Sequence, residues 1–240
     1  MAAVAKPSRR CLFVTPGRLE YGRALALQRR IVDARWHGRL DRDVLLLLEH
    51  PPVFTLGRRG GRDNLGVSEA FLDRRGIAVV HVERGGDITY HGPGQIVGYP
   101  IIALRGSSLS VTGYVTALEE IMIRAAADFE VAAARDPRNR GVWVGDCKLG
   151  SIGISIRRGI SFHGFAFNVN LDLAPFDWIN PCGLKGVGVT SLEKERGTPV
   201  APEAAYDAVT DHIRQVLRLE LEPTGMWELE KRLNNEHEPP

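Results

Sequence analysis

The stretch Arg84-Gly85-Gly86-Asp87-Ile88-Thr89-Tyr90-His91-Gly92-Pro93-Gly94-Gln95 carries the densest set of groups able to handle a substrate. Its glycines let the backbone approach a ligand closely and adopt positive φ, so that N–H groups can face a carbonyl or an anion. Thr89, Tyr90 and His91 add hydroxyls and an imidazole within the same turn. A second candidate is Asn180-Pro181-Cys182-Gly183-Leu184, a thiol held between Pro and Gly on a rigid turn of the kind that presents a nucleophile. The other two cysteines read differently. Cys11 opens an apolar strand and is expected to be buried. Cys147 directly precedes Lys148, but neighbouring strand residues point to opposite faces, so the two need not meet. His50, His91 and His163 are rival bases for chemistry at such a thiol.

Several familiar signatures are missing. The chain has no GxxxxGK phosphate loop, no GxSxG elbow and no HExxH helix. Gly92-Pro93-Gly94-Gln95-Ile96-Val97-Gly98 has one residue too many for a dinucleotide fingerprint and precedes a strand. His50, His91, Cys147 and Cys182 lack metal-ligand spacing, and neither a metal nor a cofactor is expected.

The elements that must position these groups follow from periodicity. Leu19 to Leu40 has an apolar stripe at helical steps, and Asp43 to Glu49 reads as a buried strand stopped by His50-Pro51-Pro52. Val53 to Gly57 is extended, and a helix fits Ser68 to Arg75. Ile77 to Val82 and Gln95 to Ile102 read as strands flanking the glycine-rich loop, and a long amphipathic helix fits Ser110 to Ala134. Gly141 to Val144 and Lys148 to Ile156 are strands, the latter turning through Arg157-Arg158-Gly159 into Ile160 to Val169. A loop from Asp172 to Val189 carries Cys182, and Pro202 to Leu219 is helical. Strands and helices alternate without a regular βαβ beat, which predicts an α+β fold with a mixed sheet flanked by helices. Residues 1–222 are expected to form one domain and 223–240 a polar tail.

The Arg84 to Gln95 segment, Lys148 in Lys148-Leu149-Gly150-Ser151-Ile152-Gly153 and Cys182 in Pro181-Cys182-Gly183 together resemble the signatures of the lipoyl(octanoyl) transferases. They stand in that family's order, and the similarity runs over roughly residues 20 to 220. The resemblance implies the biotin/lipoyl ligase-like fold. It also implies transfer of an octanoyl or lipoyl group from acyl carrier protein to a lysine of lipoyl domains, those of 2-oxoacid dehydrogenase complexes and the glycine cleavage H protein. Cys182 would hold the acyl thioester and Lys148 would activate it. Arg84, Gly85, Gly86, Asp87, Ile88, Thr89, Tyr90 and His91 would line the acyl site, with Ser151, Ile152, Gly153, Gly164, Phe165 and Ala166. The chemistry agrees: exchange between thioesters is nearly isoenergetic and needs no ATP, and a nearby ammonium lowers a thiol pKa from its usual ~8.5.

Composition sets wider bounds. At 44% apolar and 25% charged the chain is an ordinary globular protein. A net charge of +2 does not suggest wholesale binding of a phosphate backbone, so no nucleic acid is expected. Basic charge comes largely from scattered arginine pairs, which would suit an acidic protein partner. The aliphatic run Val44 to Leu48 is well short of the ~18 residues that span a bilayer, and a cytoplasmic enzyme with no membrane partner is expected. The rival on the same fold is an ATP-dependent lipoate or biotin ligase, which would need a nucleotide site and no nucleophilic cysteine. A ligand-sensing relative without catalysis and a cysteine hydrolase are further alternatives, separated by whether the chain self-acylates and whether amine or water accepts the acyl group.

Overall fold

The computed structural model describes residues 9–105, 109–179 and 187–234; Cys182 lies outside them. The first half runs β1 (Arg9–Arg18), α1 (Tyr21–Trp36), β2 (Asp43–Glu49), β3 (Val53–Leu56), α2 (Glu69–Asp73), β4 (Ala78–His81), β5 (Ile88–His91), β6 (Gln95–Ile101) and α3 (Val111–Ala127). The second runs β7 (Ala134–Asp136), β8 (Asn139–Val144), β9 (Cys147–Arg157), β10 (Ile160–Asn168), β11 (Gly188–Val189), α4 (Leu192–Arg196), α5 (Pro202–Leu217), β12 (Leu219–Pro223) and α6 (Met226–Asn234).

Among the described residues, nine strands form a mixed sheet in the order β12-β1-β2-β6-β10-β9-β8-β7, with β11 beside β9. β1 is parallel to both neighbours, from β2 to β7 the successive pairs are antiparallel, and β11 is parallel to β9. A second sheet sets β3 between β4 and β5. β2 runs through the middle of the large sheet, which is why its sequence is an unbroken aliphatic run. Leu45 and Leu47 pack with α3 and α5 on one face, and Val44, Leu46 and Leu48 with α1 and α6 on the other. The expected α+β architecture is the observed one. No helix among the described residues is long and apolar enough to cross a membrane.

Three boundaries differ from expectation. The helix read from Ser110 to Ala134 is capped by Ser110 but ends at Ala127. There Glu130 takes φ 61°, Glu130 N–H bonds Ala127 O and Val131 N–H bonds Ala126 O. This is a Schellman stop built on Glu where glycine is usual, so no glycine marks it, and Ala134 begins β7. The glycine-rich connection contains a strand, β5, pairing Ile88–His91 with β3. The stretch from 223 onward, read as a polar tail, carries α6, whose Leu229 and Leu233 are buried against α1 and β1.

Two irregularities matter for the site. Between β8 and β9 the register shifts at Val142/Trp143, leaving Leu149 extra on β9. Leu149 packs in the cluster containing α3, and a Cβ on Gly150 would meet Met122 of α3. The bulge thus turns two successive residues toward α3 and lets Lys148 and Ser151 share the opposite face. On β10 the pairing with β6 is interrupted where His163 falls opposite Pro100 in register. Proline has no N–H for the ladder. His163 instead adopts φ 56°, and its N–H bonds Gln28 Oε1 at 2.7 Å.

Candidate active site

A cleft with about 590 Å³ of empty space lies between the small sheet and the face of the large one that carries β6, β10 and β9. Arg84 enters from the loop after β4. Its guanidinium bonds Thr55 O at 2.7 Å and Thr55 Oγ1 at 2.8 Å, tying the loop to β3. Gly85 N–H bonds Ile154 O at 2.9 Å and tethers it to β9. The approach is close: a Cβ on Gly153 would stand 2.9 Å from both Gly85 O and Arg84 Cδ.

Of the residues expected at an acyl site, Arg84, Gly86, Asp87, Ile88, Thr89, His91, Ser151, Ile152, Gly153, Gly164, Phe165 and Ala166 line this cleft, and Lys148 does too. Two do not. Gly85 is occupied by its backbone tether, and Tyr90 turns away into an apolar cluster with Phe54 and Phe176. Lys148 is 5% exposed, with Nζ 5.1 Å from the centre of the Trp143 ring. Thr190 N–H bonds Lys148 O at 3.0 Å, and β11 pairs in parallel with Cys147 and Lys148. Cys182, expected beside this lysine, falls in the segment outside the described residues. Cys11 is fully buried, and burial raises its thiol pKa far above the ordinary value, so it stays protonated.

Sequence reasoning missed Tyr21, Arg59, Val97, Tyr99 and Asn139, which also line the cleft, while His163 was flagged only as a base. Tyr21 is the first residue of α1, fixed because the Glu20 carboxylate caps Gly22 and Arg23 N–H. In sequence it reads as part of the helix's apolar stripe. Its ring stacks on His91 with centroids 5.8 Å apart.

His50, His91 and His163 are held neutral. His50 Nδ1–H donates to Leu19 O at 2.6 Å, leaving Nε2 to accept from Tyr99 O–H at 2.7 Å. His91 Nδ1–H donates to Gln95 Oε1 at 2.7 Å, and Thr55 Oγ1 lies 3.4 Å from Nε2. Burial pushes His50 down to about 4 and His91 well below the ordinary value. Burial also pushes His163 down to about 4, Glu83 only partly opposing it. Gln95 passes the network on to Asn168 at 2.9 Å, and Asn168 Nδ2 bonds Thr190 O at 2.9 Å, bracing the strand beside Lys148. Val97 and Ala166 give the cleft apolar wall on the side of α1, and Ile88, Ile152 and Phe165 border it while their side chains also pack in the neighbouring cores. The arrangement suits an extended apolar group held near a buried amine, in a site kept free of imidazolium charge. Among the described residues no cluster of His, Cys, Asp or Glu could hold a metal ion.

Comparison with known proteins identifies the family of the chain. Residues 20–214 match the family model of the lipoyl protein ligase A/B catalytic domain. The octanoyltransferase of Desulfotalea psychrophila is 58% identical over 188 residues, covering 78% of this chain and 84% of that protein. The octanoyltransferase of Syntrophobacter fumaroxidans is 43% identical over 227 residues, covering 95% and 99%. Among solved structures, a lipoate-protein ligase A bound with ATP shares the fold with TM-score 0.72 at 14% identity, over 94% of this chain and 92% of that one. A bipartite lipoate protein ligase of Thermoplasma acidophilum does so with TM-score 0.72 at 16% identity, over 95% and 91%. On the matched domain and these identities, the chain belongs to the octanoyltransferases, with a lipoyl protein ligase A/B catalytic domain.

Proposed function

We propose that the chain transfers an octanoyl group from acyl carrier protein to a lysine of lipoyl domains, through a thioester on Cys182 partnered by Lys148. The observation that carries this reading is Lys148, an amine buried in the wall of an apolar-sided cleft and aimed there by a strand bulge. Cys182 precedes β11, the strand paired with Lys148, by six residues, a span of at most about 20 Å. An ammonium beside the thiol raises its thiolate fraction. Once the sulfur is acylated, the buried lysine loses its counter-charge and is free to act as base toward the incoming amine. Acidic carrier and lipoyl domains would be drawn to the arginine-rich surface. One domain acting in the cytoplasm completes the reading.

Intact mass after mixing with octanoyl-acyl carrier protein tests it. Wild type is expected to gain one octanoyl group and lose it on addition of a lipoyl domain, and Cys182→Ser to gain none. A lipoyl domain octanoylated with no adduct on the enzyme would mean direct transfer, and a requirement for ATP would mean a ligase. Lys148→Arg keeps the charge but not the base; it is expected to retain a reactive thiolate and lose transfer, and full turnover would exclude the base role.

A further inference from the structure

His163 stands apart from His50 and His91. Its backbone is held in the left-handed region within a strand, its side chain is 1% exposed, and its Nε2 has no hydrogen-bond partner among the described residues. Strain of this kind persists where surrounding structure imposes it, often at functional sites. The ring lies between two polar groups. Tyr21 O–H lies 3.5 Å from Nδ1, and Glu83 Oε2 lies 3.9 Å from Nε2. Tyr21 lines the cleft, while the Glu83 side chain is 34% exposed and is held by Arg29 at 2.8 Å. The neighbouring phenol–imidazole pair, Tyr99 and His50, ends on the carbonyl of Leu19 and offers no further acceptor. Of these two chains, the one through His163 ends on a partly exposed carboxylate.

The proposed reaction has a proton to dispose of. A target lysine arrives as an ammonium and leaves as an amide N–H, giving up two protons as the N–C bond forms and the thioester S–C bond breaks. Neutral Lys148 takes one and so regenerates the ammonium that pairs with the departing thiolate. The second must reach solvent. We propose that Tyr21, His163 and Glu83 form its exit route, with His163 as the relay. Tyr21 takes the proton on its oxygen while passing its own to Nδ1, and Nε2–H passes to Glu83 once the carboxylate has closed the 3.9 Å between them, after which Glu83 releases the proton to water. Water entering the emptied cleft restores the Nε2–H tautomer before the next turnover.

This inference rests on the Cys182/Lys148 reading, and single-turnover kinetics separate the two. The enzyme is loaded from octanoyl-acyl carrier protein and then mixed with a lipoyl domain, and acyl gain and loss are followed by intact mass. His163→Gly suits the backbone angle and leaves a ring-sized space. It is expected to slow acyl loss at least about tenfold more than acyl gain, and added imidazole is expected to restore the rate. Glu83→Gln, at a partly exposed position, is expected to slow acyl loss in the same direction. Equal slowing of both half-reactions, or slowing that imidazole does not relieve, would make His163 a purely structural residue and overturn the route. Unchanged acyl loss in both variants would overturn it as well. A wild type that never acquires the acyl group would instead sink the thioester reading, and this inference with it.

Discussion

Gly141 faces Ser151 across the β8–β9 bulge with φ 127°, and a Cβ there would lie 2.7 Å from Lys148 Cε. The position makes room for the stem of the lysine. Gly141→Ala is expected to cost about 1–3 kcal/mol through backbone strain and to cut turnover more sharply than the fold, because the amine is displaced. Thermal melting and kcat, measured together, check this; full kcat would mean that the stem does not need the space. At this scale much was legible. Arg84, His91 and Lys148 announce themselves by residue type and neighbours. Tyr21 and Tyr99 did not, since an aromatic residue in an apolar stripe reads as core until its hydroxyl is seen to meet a histidine.

Helix α6 joins the face of the sheet covered by α1, placing Leu229 among fully buried residues. Leu229→Ala is expected to destabilise the chain by about 2–5 kcal/mol, read as a shift in denaturant midpoint with the slope unchanged. A shift within error would mean that α6 is a dispensable appendage. Elements with a continuous or strictly alternating apolar pattern, such as β2 and the β9–β10 hairpin, were readable from sequence. Those missed depend on distant partners. β12 gains its strand character by pairing with β1 about 200 residues earlier, and β5 by pairing with β3 inside a stretch whose glycines suggest only a loop. The bulge that aims Lys148 is a matter of register, which local propensity does not encode.

Across the whole molecule, His50, His91 and His163 are buried neutral in one region. The unfolded chain protonates such rings near ~6.5, whereas burial holds His50 and His163 uncharged until about 4. Stability from these rings is therefore complete above about pH 6.5 and is lost as pH falls toward 4, by about 2 kcal/mol per ring at pH ~5. A melting temperature that falls steadily between about pH 7 and 5 is expected, and a flat profile would contradict neutral burial. Pro100 has a consequence of another kind. It does not line the cleft, yet the missing ladder bond opposite it is what sets His163 off the pleat. Pro100→Ala would supply that N–H and let β10 relax into a regular strand. If His163 relays the proton as proposed, a screen for heat resistance would thus reward a substitution that impairs turnover, a trade-off set by the sheet itself.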